Sequence, residues 1–340
     1  MGNRIARSVF PLLLAALAGC QQQERLESFS GPTMGSTYTV KYVHSAAVAP
    51  KEQLQRETEA LLTRFDQELS TYRSDSDISR FNALPAGSCQ AMPADVLHLV
   101  ATGEQLSRGS DGALDLTVEP LLDLWGFGPK GQPAQVPDQA RIDEVRQRVG
   151  HRYLRIEGEQ LCKDAAVEVD FNSIAAGLAV DLVIEGLQKL GVHSYLVEIT
   201  GELKAAGRKP DGSPWRVAIE APREGEQVAQ RIVELDGYGV STSGDYRNYF
   251  EQDGKRYSHT LDPRSGRPIE HALASVTVLS PSTLQADGLS TVLMVLGPQR
   301  GFDFASQHEV AALFVTREQD GFTTQSTEAF DRLFGKEIGQ

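Results

Sequence analysis

The stretch GVSTSGDYRNYFEQDGKRYSHTLDPRSG, residues 239–266, sets the fold expectation. Its short apolar start passes into Ser241-Thr242-Ser243-Gly244-Asp245. Five small or polar residues in a row suit a loop on which backbone N–H groups and hydroxyls converge. Asp253-Gly254 then marks a tight hairpin turn. The return strand, 255–261, carries His259 and ends at Asp262-Pro263, and Gly266 closes a second turn. Further short strands read at 36–43, 194–199, 215–220, 231–235, 274–279 and 310–316, with hairpin signals and few βαβ units. The expected fold is α+β, a mainly antiparallel sheet with flanking helices. Helices concentrated between 51 and 149 are expected to cover one side, and two packed subdomains are expected to meet at a cleft. A lone hairpin bearing a histidine is more often a solvated surface feature, so the rest of the chain has to decide what His259 does.

The chain has 340 residues, 40% hydrophobic and 23% charged, enough for one large domain or two packed ones. Its formal net charge of -13 argues against a nucleic-acid partner, which needs a basic footprint. It leaves room for an anionic ligand, since a helix N-terminus or a bound cation supplies local positive potential. Arg4 and Arg7 precede an apolar run over 9–18 that is too short to span a bilayer, and Leu17-Ala18-Gly19-Cys20 follows. That ending resembles a bacterial lipobox. The expectation is a lipoprotein signal peptide over 1–19, an acylated Cys20 as first mature residue, a polar tether over 20–30 and a single functional domain over 31–340. Cys89 and Cys162 remain; outside the cytoplasm two such thiols can pair, but spacing alone does not supply the geometry.

Helices are expected over 51–70, 75–82, 93–108, 138–149 and 328–334. The segment 111–128, DGALDLTVEPLLDLWGFG, fits neither helical nor strand period. It sets Asp115 between two leucines, a costly place for a charge that is not hydrogen-bonded. Residues 129–137 read as a surface excursion. Around 168–177 a strand is expected to end near Asp170, and a helix over 173–190 to begin with small residues that let an anionic ligand approach its N–H groups. A helix over 282–296, ending at Gly297, carries Asp287 and Thr291 four residues apart on one face. A carboxylate and a hydroxyl on adjacent turns can hold a hard cation such as Mg²⁺. The pair is common by chance, but its neighbours here are apolar, and a buried unpaired Asp is costly.

Taken together these motifs resemble the ApbE family, the FAD:protein FMN transferases. The matching pieces are Met34-Gly35-Ser36, Ser70-Thr71-Tyr72, Asp111 to Asp115 through Trp125-Gly126-Phe127-Gly128, Val169-Asp170 with its Ala-Ala-Gly helix start, Ser241 to Tyr246, Ser258 to Pro263 with Gly266, and Ala286-Asp287-Gly288 with Thr291. The resemblance implies that FAD binds with Mg²⁺ at its pyrophosphate. A threonine hydroxyl of a target protein attacks the FMN-side phosphorus, and AMP leaves. It places Mg²⁺ on the side chains of Asp287 and Thr291 and the carbonyl of Ser173, and makes His259 the base or positioning group for the incoming hydroxyl. It assigns FAD contacts to Met34, Tyr72, Ala113, Leu114, Asp115, Asp170, Ala176, Thr260 and Leu261. Ala176 stands where the family usually has Lys or Glu, which removes one long side chain from the expected FAD site. The implied partners are threonine-bearing subunits of membrane redox complexes. The implied address is the periplasmic face of the bacterial envelope, with the inner membrane the expected anchor.

Two other readings use the same residues. One is a Mg²⁺-dependent FAD pyrophosphatase, with water in place of the threonine. The other is a flavin-binding lipoprotein without chemistry. A threonine-bearing acceptor separates the first two, and turnover of FAD with Mg²⁺ separates both from the third.

Overall fold

Arg25–Thr33 and Ser36–His44 form an antiparallel hairpin turned by Met34 and Gly35, both at positive φ (43° and 71°). Such a two-residue turn matches the right-handed strand twist. The computed structural model describes residues 24–335 apart from 131–134, 224–227, 247 and 320. The expected signal peptide and Cys20 lie outside the described residues. The expected tether gives way to a strand from Arg25 onward. Its polar look reflects an edge strand: alternate side chains face solvent, while Phe29 is buried edge-on against the rings of Tyr38 and Tyr42.

The hairpin begins an eight-stranded sheet. From it the order runs through Tyr195–Ile199, Glu202–Ala206, Tyr238–Gly244, Leu273–Ser280, Ala311–Glu318 and Gly321–Ser326, every neighbour antiparallel. This bears out the α+β expectation. The run 241–244 is part of a strand and not a loop. Its alternation is of hydroxyls: Thr242 bonds Thr277 across the sheet at 2.8 Å, while Ser241 and Ser243 both reach Ser290 on the opposite face. The hairpin forms as read, Tyr249–Gln252 with Lys255–Ser258 around Asp253-Gly254.

Lys51–Leu69, Ala175–Lys189 and Thr283–Gln307 cover one face of the sheet. Two of these three lie beyond the 51–149 region expected to supply the covering layer. Ala94–Gly109 packs behind them on the long helix. The long helix breaks at Gly297 (φ 80°, ψ -176°) before Pro298, where its end was expected, and then resumes to Gln307. The other face is closed by a two-stranded sheet, Trp215–Glu220 with Ala229–Leu235, and by the helix Glu328–Phe334. A satellite cluster around Leu121, Trp125, Ile142 and Leu261 lies beside this core. In place of the strand expected near Asp170 there is only an isolated bridge, Val118 to Glu168. The side chain of Asn82 takes over the ladder's work, accepting from Val169 N–H (2.8 Å) and donating to its carbonyl (2.9 Å). Cys89 and Cys162 sit opposite each other on paired strands and form a disulfide.

Candidate active site

A cavity of about 550 Å³ opens where the sheet core meets the Trp125 cluster. That size suits a cofactor-sized ligand. Ala113, Leu114, Asp115, Asp170, Ser173, His259, Thr260, Leu261, Asp287 and Thr291 all line it. They come from segments almost 180 residues apart in sequence, roughly the reach that only a folded sheet of this order can bring together. Met34, Tyr72 and Ala176 are not among its lining residues. Met34 packs on the main core from the first hairpin turn, and Tyr72 is 68% exposed on a turn. Tyr72 nonetheless stands near the lining residue Asp170, and Ala176 directly precedes Gly177, whose N–H bonds Asp287.

His259 follows the last strand of the hairpin. Its Nδ1 lies 2.9 Å from the carbonyl of Asn248. A carbonyl only accepts, so Nδ1 carries the proton and the neutral ring leaves Nε2 as its basic atom. Burial holds the imidazole below its usual 6.5, which favours that neutral form. The hairpin is fixed by stacked rings. Phe250 stacks on Tyr257 (5.2 Å), Tyr257 lies against Trp125 (5.7 Å), and Phe127 meets Phe250 (5.6 Å) and the His259 ring edge-on (6.4 Å). Trp125 is buried and donates its indole N–H to the carbonyl of Gly266 at 2.9 Å. The aromatic segment 125–127 therefore braces the histidine from behind.

Asp287 is 5% exposed. The backbone N–H of Gly177, in the first turn of Ala175–Lys189, donates to its Oδ2 at 2.9 Å, and Ser241 reaches Oδ1 at a long 3.4 Å. Ser241 also lies 3.5 Å from Glu202. A single hydroxyl proton cannot serve both carboxylates at once. Burial first, and then the charge of Glu202, raise the Asp287 carboxyl well above the ordinary carboxylate range. Burial pushes Glu202 up to about 7. The buried Asp287 and the half-buried Glu202 facing one hydroxyl, with Thr291 and Ser173 on the same cavity, make a set of hard oxygen donors that fits a divalent cation.

Asp115 and Asp170 have other work as well. Asp115 accepts from the N–H and hydroxyl of Thr117 (2.9 and 2.6 Å) and from His151 N–H (2.7 Å), which answers its odd placement between leucines. Asp170 accepts from both nitrogens of Asn172 at 2.8 Å, and the carboxyl of Glu119 lies close to it. Burial and the charge of Asp170 push Glu119 up to about 9.

The sequence reading missed Glu202, Asn248 and the strand residues Val217 to Ile219, all on the cavity. Glu202 carried a signal: a carboxylate three residues after an apolar strand, behind a Thr200-Gly201 turn at positive φ (55° and 119°). Asn248 acts through its carbonyl, which no side-chain pattern reveals.

A family profile described as the ApbE family matches residues 34–314. This chain belongs to the ApbE family. The chain is similar to a solved Pseudomonas stutzeri flavinyl transferase ApbE in its apo form, at 66% identity and a TM-score of 0.88 over 93% of this chain and 99% of that one. It is 43% identical to an FAD:protein FMN transferase of Vibrio cholerae, over 95% of this chain and 97% of the relative. It is 40% identical to an FAD:protein FMN transferase of Haemophilus influenzae, over 98% and 99%. The expectation of an ApbE enzyme of flavin transfer is borne out at that level, and the family's α+β architecture is the one described above.

Proposed function

We propose that this protein transfers FMN from FAD to a threonine hydroxyl of a partner protein and releases AMP, with Mg²⁺ at the FAD pyrophosphate. The observation that carries the reading is the convergence of His259 with Ser173, Asp287 and Thr291 on one cavity. The threonine Oγ bonds to the FMN-side phosphorus. The bond from that phosphorus to the bridging oxygen breaks, and AMP leaves with the oxygen. Nε2 of His259 takes the hydroxyl proton; the Asn248 carbonyl holds the ring in the tautomer that allows this. Asp287, Thr291 and the Ser173 carbonyl would hold the Mg²⁺. When bound, the cation neutralises charge on the pyrophosphate oxygens.

The reading includes a lipid anchor at Cys20, placing the site on the periplasmic face of the inner membrane against redox-complex subunits. The Cys89–Cys162 disulfide supports an oxidising compartment. No helix among the described residues is long and apolar enough to cross a membrane. The test is mass spectrometry of a threonine-bearing acceptor domain incubated with the protein, FAD and Mg²⁺. An FMN-sized mass gain, absent without metal, is expected. FMN and AMP released with every acceptor left unmodified would favour a pyrophosphatase, and intact FAD would reduce the protein to a flavin binder.

A further inference from the structure

Trp215–Glu220 pairs along one edge with Ala229–Leu235, and these two strands form a sheet of their own. Along residues 215–219 the second edge carries no strand and no backbone hydrogen bond to another segment among the described residues. Side chains alternate between faces along a strand. Ile219 is buried in the apolar cluster with Trp215, Val217 packs against that cluster, and Ala218 is exposed. Yet Val217, Ala218 and Ile219 all border the cavity that contains His259. Three consecutive residues with alternating side chains border one space together when the strand meets it along its backbone edge. An open strand edge is a template for another extended chain.

We propose that the acceptor polypeptide docks as an added antiparallel or parallel strand on this edge, delivering its threonine to His259. The inference rests on the transferase reading, because that reaction needs a protein hydroxyl inside the cavity. Edge pairing suits the task. Main-chain hydrogen bonds hold the segment independently of most of its sequence, and alternate side chains point to opposite sides. One hydroxyl then faces the flavin phosphate while its neighbours face away. FAD has no peptide backbone to satisfy a row of alternating N–H and C=O groups.

The experiment uses the full mature protein and the threonine-bearing acceptor domain that the wild type modifies. Successive N–H groups on a strand point to opposite neighbours. Of Val217→Pro and Ala218→Pro, one therefore removes a bond within the two-stranded sheet and the other removes a donor from the open edge. The edge variant should keep the wild-type melting temperature and flavin-fluorescence titration with FAD, yet lose at least tenfold in kcat/KM for the acceptor, through KM. Hydrogen exchange, which does not depend on either variant folding, should show amides within 215–219 slowed by acceptor and not by FAD alone. Equal transfer by both folded variants, or exchange unchanged by acceptor, overturns the inference and leaves the transferase reading intact. Loss of FAD binding in step with transfer overturns it too, assigning the edge to the nucleotide. A wild type that modifies no acceptor overturns the underlying reading and the inference with it.

Discussion

In the proposed transfer the contact of His259 Nδ1 with the Asn248 carbonyl is decisive, because it leaves Nε2 to accept the hydroxyl proton. His259→Ala should lower flavin transfer by roughly 10²–10⁴-fold while FAD binding persists, since a general base acts in the chemical step. On that reading the neutral ring is the active one, and burial holds its folded pKa below 6.5. Transfer should therefore rise with pH through a limb below that value and be lost on its acid side, which a kcat/KM profile on the acceptor will show. Asp287 gives an independent check. Asp287→Asn removes a charge that opposes Glu202, so the metal-free variant should melt no lower than wild type. Its affinity for Mn²⁺, measured calorimetrically as a probe, should fall at least tenfold. A variant that melts well below wild type would show instead that the ionised carboxylate is a structural prop.

Gly177 connects the element scale to the site. A Cβ there would stand 2.5 Å from the Thr283 carbonyl and 2.8 Å from the Asp287 Cβ, so two helices meet backbone to side chain at this point. Gly177→Ala has to spread Ala175–Lys189 from Thr283–Gln307, costing about 1–3 kcal/mol in denaturant unfolding. It also shifts the N–H that holds Asp287, so cation affinity should drop with stability. How much of this was legible depended on what carried the signal. Side-chain periodicity exposed the helix bearing Asp287 and Thr291, and Asp253-Gly254 exposed the hairpin bearing His259. The hydroxyl run 241–244 hid a central strand because its inward face packs on Ser290 and not on apolar groups. The chain at Asp170 read as a strand because its sequence is extended and apolar, but its backbone is satisfied by one asparagine side chain. Met34 and Tyr72 matched motifs in sequence whose places in the fold are a turn against the core and an exposed turn.

At the scale of the molecule, two features govern stability. The Cys89–Cys162 disulfide closes a loop with a sequence separation of 73 residues, and Cys89→Ser with Cys162→Ser should cost about 2–4 kcal/mol of unfolding free energy. An unchanged denaturation midpoint would mean the loop is already constrained in the unfolded chain. The second feature is the buried carboxyl pair. The folded pKa of Glu119, about 9, lies above its ordinary 4.5, so the folded state binds that proton more tightly. Its contribution is fully present below about pH 4.5 and is lost as pH rises toward 9. Wild type should therefore lose melting temperature more steeply over that window than Glu119→Gln, which keeps a donor toward Asp170 without a titrating proton.

The order of strands in the sheet also sets a schedule. Arg25–Thr33 and Ser36–His44 emerge first, yet Ser36–His44 must wait for Tyr195–Ile199 as its inner neighbour. The far side of the sheet closes later still, on Leu273–Ser280 and Ala311–Glu318. Asp287 and Thr291 lie between those last two strands in sequence. A chain arrested before residue 287 thus holds the histidine hairpin without two of the three proposed cation ligands, Asp287 and Thr291. One cut before Ala311–Glu318 leaves Leu273–Ser280 as a raw edge. The proposed cation site is therefore complete only once Thr291 has been made, when the sheet still lacks its last two strands.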